Sequence, residues 1–112
     1  MRSHRIRLAD IAEAIAGIEA TIDGESLETF ALSWTTQRAV ERGLEIVSEA
    51  SRGLDLKQVD VFPDVAWRQI ADIGNLLRHE YHRVEPTIIW NITHAHLPRL
   101  KAAVQAMLQK AP

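Results

Sequence analysis

The sequence predicts an all-α fold, an antiparallel helical bundle of four main helices, and three observations carry that prediction. Apolar residues recur at spacings of three and four in four separate segments. Residues that stop or start helices fall between those segments, at Asp23-Gly24, Gly53, Pro63-Asp64 and Pro86. Strand signals are weak: the best of them, Val59 to Phe62, is short and runs straight into Pro63.

In the first segment Leu8, Ile11, Ile15, Ile18 and Ile22 form one stripe while Asp10, Glu13 and Glu19 fall off it, and Asp23-Gly24 ends the helix. A short turn carrying Leu27 and Phe30 then leads to a long helix from about Ser33 to Arg52. Its apolar line runs through Thr36, Val40, Leu44 or Gly43, Val47 and Ala50, with Gly53 as the stop. Pro63-Asp64 announces the third helix, because the Asp64 carboxylate can accept hydrogen bonds from first-turn amides ahead of Trp67, Ile70, Ile73 and Leu77. That helix should end near Tyr81, since Glu85 precedes Pro86 and is driven toward extended backbone. Pro86 suits the opening turn of the fourth helix, whose apolar positions are Ile89, Ile92, Leu97, Leu100, Val104 and Met107. Pro98 lacks an amide and is expected to kink or split it.

Composition bounds what such a bundle can do. A chain of 112 residues, 46% of them hydrophobic, is one domain, residues 1–112, with enough apolar surface for a core. No uncharged apolar run reaches the roughly 18 residues of a membrane span, and the basic start from Met1 to Arg7 leads into acidic positions rather than a signal-peptide core. The absence of cysteine removes disulfides, thiolate nucleophiles and thiolate metal sites together, and fits a cytoplasmic protein. A net charge of -2 argues against sequence-blind binding to long nucleic acid through a uniformly basic surface, and leaves a local basic patch open.

The third helix carries the candidate chemistry. At about 100° per residue, Trp67, Ile70, Ile73 and Leu77 share one side, and Arg68, Asp72, Asn75, Arg78, His79 and His82 share the other. Asn75 and His79 are four apart, as are Arg78 and His82, so each pair can meet. An amide facing a histidine can fix its tautomer, and an arginine beside it can hold a phosphate. The same stripe is also what any solvent-facing amphipathic helix shows, and basic residues in a last turn complement the helix dipole. His94 and His96, two apart, point away from each other and read as surface residues rather than metal ligands. Trp34, Trp67 and Trp90 read as core or interface anchors. No phosphate loop, paired-histidine metal motif or nucleophile elbow is present, so no metal or cofactor is expected.

The stretch from Ile70 to Trp90, IADIGNLLRHEYHRVEPTIIW, resembles the signature region of the HepT-like branch of the HEPN superfamily, small all-helical proteins that typically act as ribonuclease toxins. The run from Gln37 to Arg42, the run LEIVSEA from Leu44 to Ala50, Trp67 to Ile73, and Leu97-Pro98-Arg99-Leu100 match the family's pattern in order, so the likeness spans nearly the whole chain. It implies a homodimer, an RNA substrate, and metal-independent cleavage with His79 as the catalytic histidine and Asn75 as the family's polar residue; Arg78 is read beside them as the catalytic cation, with His82 and Arg83 as a supporting basic patch. It also implies a nucleotidyltransferase antitoxin that silences the toxin by adenylylating Tyr81, the tyrosine of the His79-Glu80-Tyr81 motif. On the residues alone, Tyr81 can equally pack at the helix end.

One departure from the family pattern stands out. That pattern has arginine, a polar residue, and then histidine with four to six residues between arginine and histidine; here the arginine's place is Gly74. Arg78 lies one turn further on and only about 40° around the helix, and helical side chains lean toward the N-terminus, so its guanidinium can occupy part of the space the glycine leaves. The alternative is a catalytically inactive HEPN-fold binding protein that keeps the nucleotidyltransferase partner.

Overall fold

The computed structural model describes residues 3–80 and 85–110, with the side chains of Leu56 and Glu80 excepted. Four long helices dominate: α1 (His4–Ile22), α3 (Trp34–Arg52), α5 (Trp67–Glu80) and α6 (Pro86–Lys110). Two short ones, α2 (Leu27–Leu32) and α4 (Leu56–Val59), lie in the connections, and no strand occurs among the described residues.

The apolar stripes become the core. Leu8, Ile11, Ile15 and Ile18 of α1 meet Val40, Leu44 and Val47 of α3, Ile70, Ile73 and Leu77 of α5, and Ile89, Leu97, Leu100 and Val104 of α6, all buried. Burying each such side chain stabilises the fold by about 1.5–3 kcal/mol, which is what holds helices of this length in place. Neighbours run antiparallel. Ile18, late in α1, lies against Gly43 of α3, while Ser48 and Arg52 of α3 both donate to the Ala71 carbonyl of α5. Arg5 and Glu19 of α1 reach Leu108 and Lys101 of α6.

Helix starts follow local chemistry. Ser3 accepts from the Ile6 amide to open α1, and Ser33 from the Thr36 amide to open α3. The segment around Leu27 and Phe30, expected to be a turn, is instead a helix: Ser26 and Thr29 form a reciprocal capping box, and Phe30 is buried against the Trp90 ring at 5.3 Å. Val59, the start of the weak strand signal, ends α4, and the Phe62 amide turns back to its carbonyl.

Three further expectations are corrected. α5 starts at Trp67, with the Ala66 carbonyl accepting from Ile70, so Asp64 stands two residues upstream of the capping position. Pro98 does not split α6, which continues from Pro86 to Lys110. Both Pro98 and His94, whose carbonyl loses its intrahelical donor, are exposed, so water can satisfy that carbonyl. Trp34 is no core anchor: it is 68% exposed, with the Arg38 guanidinium 5.6 Å from its ring. Trp67 and Trp90 do pack on the core, and Trp67 Nε1 donates to the Phe62 carbonyl. The expected end of the third helix near Tyr81 falls at the edge of the described residues.

Candidate functional site

Ile70, Ile73 and Leu77 fix the rotation of α5 by burying one face, so the opposite face must look outward. Arg68, Asp72, Asn75, Arg78 and His79 are exposed, as their register requires. Tyr81, His82 and Arg83 lie outside the described residues, and the expected Arg78–His82 pairing with them.

Between the two faces sits Gly74, which is buried. Its amide donates to Ser48 Oγ at 2.9 Å, and Ser48 Oγ donates to the Ala71 carbonyl at 2.8 Å. Ser48 is itself 1% exposed, so its hydroxyl is consumed entirely by the α5 backbone. Arg52 Nε adds a second bond to the same Ala71 carbonyl at 2.9 Å. Two α3 side chains thus grip one turn of α5, from Ala71 to Gly74. Sequence inspection had passed over both. The available signal was Ser48, a lone polar residue beside Val47 on an otherwise apolar line.

Arg78 leans back along the helix. Its Nη1 lies 3.2 Å from where a β-carbon on Gly74 would stand, so the guanidinium fills the side of the vacated position that faces away from α3. Nη2 donates to Asn75 Oδ1 at 2.7 Å. Asn75 therefore holds Arg78, not His79 as its spacing had led us to expect. The i,i+3 partner wins because a guanidinium directed toward the N-terminus passes directly over that amide. The partner is neutral, and among the described side chains no carboxylate comes within ion-pair distance of Arg78. Its positive charge is therefore available to an anion. Two other α3 arginines are differently placed, Arg38 pairing with Glu41 and Arg42 with Glu45.

His79 is the next residue, exposed and without a described hydrogen-bond partner, which leaves both ring nitrogens open to a ligand. Both side chains stand in the last described turn of α5, where positive charge also offsets the carbonyl end of the helix dipole. The remaining described histidines do other things: His94 Nδ1 donates to the Trp90 carbonyl at 2.8 Å and its ring stacks on Trp90 at 4.2 Å, while His96 is half-buried. Among the described residues no group of three metal-binding side chains is clustered, and no helix is long and apolar enough to cross a membrane.

Fold and site together define a small all-helical bundle that presents an arginine with no carboxylate partner among the described side chains, beside an exposed histidine, at one helix end. The chain belongs to the HepT-like family: the family profile, described as ribonuclease HepT-like, matches residues 11–107. It is 35% identical to a protein of Thermococcus cleftensis named "Probable ribonuclease HepT", over 106 residues that cover 95% of this chain and 96% of that one. A provisionally named RNase of Caldanaerobacter subterraneus subsp. tengcongensis is 32% identical over 110 residues, 98% of each chain. No solved structure matches.

Proposed function

We propose that this protein, as a single HEPN/HepT-like domain over residues 1–112, is a metal-independent endoribonuclease toxin of the cytoplasm, acting as a homodimer. The observation that carries the reading is the Arg78 guanidinium, folded back beside Gly74, free of any described carboxylate and adjacent to an accessible His79. Cleavage follows from those two groups. The ribose 2′-oxygen forms a bond to phosphorus as the bond from phosphorus to the 5′-oxygen breaks, leaving a 2′,3′-cyclic phosphate and a 5′-hydroxyl. His79 takes the 2′ proton or delivers one to the departing oxygen, and Arg78 stabilises the extra negative charge on the phosphorane. Asn75 fixes the guanidinium, and a dimer would bring two such helix ends, with His82 and Arg83, around one phosphodiester. No metal is required in this scheme.

The partner in this reading is a nucleotidyltransferase antitoxin that transfers AMP from ATP to the Tyr81 hydroxyl: the tyrosine oxygen bonds to the α-phosphorus as the α–β anhydride breaks, and pyrophosphate and the phenolic proton leave. The added phosphate carries negative charge two residues from His79 and would repel an RNA phosphate there. Co-expression with a nucleotidyltransferase of this kind should raise the mass of the wild type by one adenylyl group and leave Tyr81→Phe unchanged.

The test of the nuclease reading is RNA cleavage by purified protein in EDTA. The wild type should yield 2′,3′-cyclic phosphate ends and arrest growth on expression, and His79→Ala should lower the rate by about 10²- to 10⁴-fold. A wild type that is inert and harmless moves the assignment to a catalytically inactive HEPN-fold partner of the nucleotidyltransferase. Gly74, standing where the family pattern places arginine, is what favours that second reading.

A further inference from the structure

We propose that Ser48, a buried residue of α3, is the positioning residue that fixes the site's cation at position 78. The proposal rests on the nuclease reading for its consequence and on packing alone for its cause. Ser48 Oγ accepts from the Gly74 amide and donates to the Ala71 carbonyl, so it is wedged against the α5 backbone over one turn. A β-carbon at position 74 would stand 2.9 Å from that oxygen, closer than a β-carbon and a hydroxyl can approach. Ser48 cannot yield, because it is 1% exposed and both of its hydrogen bonds would break if it turned away. A side chain at position 74 is thereby penalised.

The consequence appears on the other side of the same position. With no side chain at 74, the nearest cation able to reach that patch is the arginine one turn on, and Arg78 Nη1 lies 3.2 Å from the missing β-carbon. Asn75 Oδ1 then tethers Nη2. Ser48, Gly74 and Arg78 form one coupled unit: the hydroxyl excludes a side chain at 74, and the exclusion makes room for the guanidinium from 78. Arg52, on the Ala71 carbonyl, reinforces the same α3–α5 spacing.

Substitution at both ends of the contact tests this. Gly74→Ala should lower the thermal midpoint by about 5–10 °C, as overpacking does in a domain of this size. In Ser48→Ala the nearest α3 atom becomes the β-carbon, 3.5 Å away and in ordinary contact. The double variant should therefore melt no lower than Ser48→Ala alone, and somewhat higher because alanine is the better helix former once the clash is gone, a coupling that independent sites do not show. The positioning role is read in an Arg78→Ala background, in which cleavage is lost. Adding Gly74→Arg should restore nothing while Ser48 is present. Adding Gly74→Arg together with Ser48→Gly should raise kcat/KM by at least about 10-fold, with most of the gain in kcat, as expected for a charge stabiliser of the transition state. The same variants titrated with a 2′-deoxy oligonucleotide, which binds without being cleaved, should show the same order of affinities. That keeps the outcome independent of the nuclease reading: an inert wild type refutes cleavage, whereas the melting and binding cycles judge Ser48. Rescue by Gly74→Arg with Ser48 in place, a Gly74→Ala protein that melts like wild type, or affinities indifferent to residue 48 would each overturn the proposal.

Discussion

Two glycines sit at helix crossings of the long helix α3, and their surroundings could hardly differ more. At Gly43 a β-carbon would meet Ile18 Cγ1 at 2.5 Å and Cδ1 at 2.8 Å, so the crossing with α1 is filled by a buried apolar side chain. At Gly74, on the α5 side, it would meet a serine hydroxyl and an exposed guanidinium. The backbone device is the same, an absent side chain that lets another group move in. What moves in decides the outcome: an isoleucine makes core, whereas a serine and an arginine make a rigid, charged surface. A close helix approach therefore says nothing about function until its filling is known.

The sharpest way to break the comparison is to remove the filling on the α5 side. Arg78→Ala should lower RNA cleavage by about 10²- to 10³-fold, the usual effect of deleting one preorganised charge stabiliser. Arg68→Ala, on the same exposed face nearly three turns earlier, should change the rate by no more than about 2-fold, since an exposed cation away from the site contributes only screened attraction. Neither change should move the thermal midpoint appreciably. Equal losses from both would mean that the face attracts RNA by charge alone and that the placement of Arg78 beside Gly74 is incidental.

On the α1 side the effect should be smaller and of another kind. Gly43→Ala should destabilise the fold by about 1–3 kcal/mol, because the new carbon collides with Ile18 in a region with no polar end to swing aside. Denaturant midpoints would read it, and the Gly43→Ala/Ile18→Ala double variant should cost less than the sum of the singles. Cleavage per folded molecule should stay unchanged.

How much of this was legible beforehand follows from the physics of each feature. Long stripes such as Leu8 to Ile18 and Ile70 to Leu77 declare themselves because burial repeats with the helical period, and the structure buries them as read. The helix at Leu27–Leu32 is too short for a period to emerge, and only its Ser26 and Thr29 capping pair marks it. Of the two outcomes expected at Pro98, a split does not occur, because Pro98 and His94 are both exposed and water can take the place of the missing amide donor. For Trp34, read as a core or interface anchor, the core alternative fails because residue type does not fix burial. At the site, the outward face of α5 and the backward lean of Arg78 were readable from helix geometry. The choice of Asn75 over a histidine as its partner was not, since both spacings are allowed and only the guanidinium's direction selects between them. Ser48 was hidden for a deeper reason. Its role depends on a contact with a residue 26 positions away, and a sequence pattern carries no information about which turn of α3 faces which turn of α5.

The smallest predicted effect concerns how the two helices treat charge. On α3, Glu41 is paired with Arg38 at 2.8 Å and its side chain is only 12% exposed, whereas on α5 Arg78 is exposed and tied to a neutral amide. Burial pushes the Glu41 carboxyl above its ordinary value of 4.5, outweighing the opposing pull of Arg38, with Glu45 adding to the rise. A carboxyl that binds its proton more tightly folded than unfolded contributes stability below its ordinary pKa and loses it as pH rises through the raised one. Glu41→Gln cannot ionise, so its denaturant midpoint should gain on that of the wild type as pH rises from below the ordinary value of 4.5 through the raised one, and the two curves should run parallel above that window. Asn75→Ala, which disturbs the α5 pair, should show no such pH-dependent divergence, because the substitution removes no ionisable group. A wild type that instead gains on Glu41→Gln across the window would mean that the Arg38 ion pair outweighs desolvation, and that α3 holds its charges as favourably as α5 does.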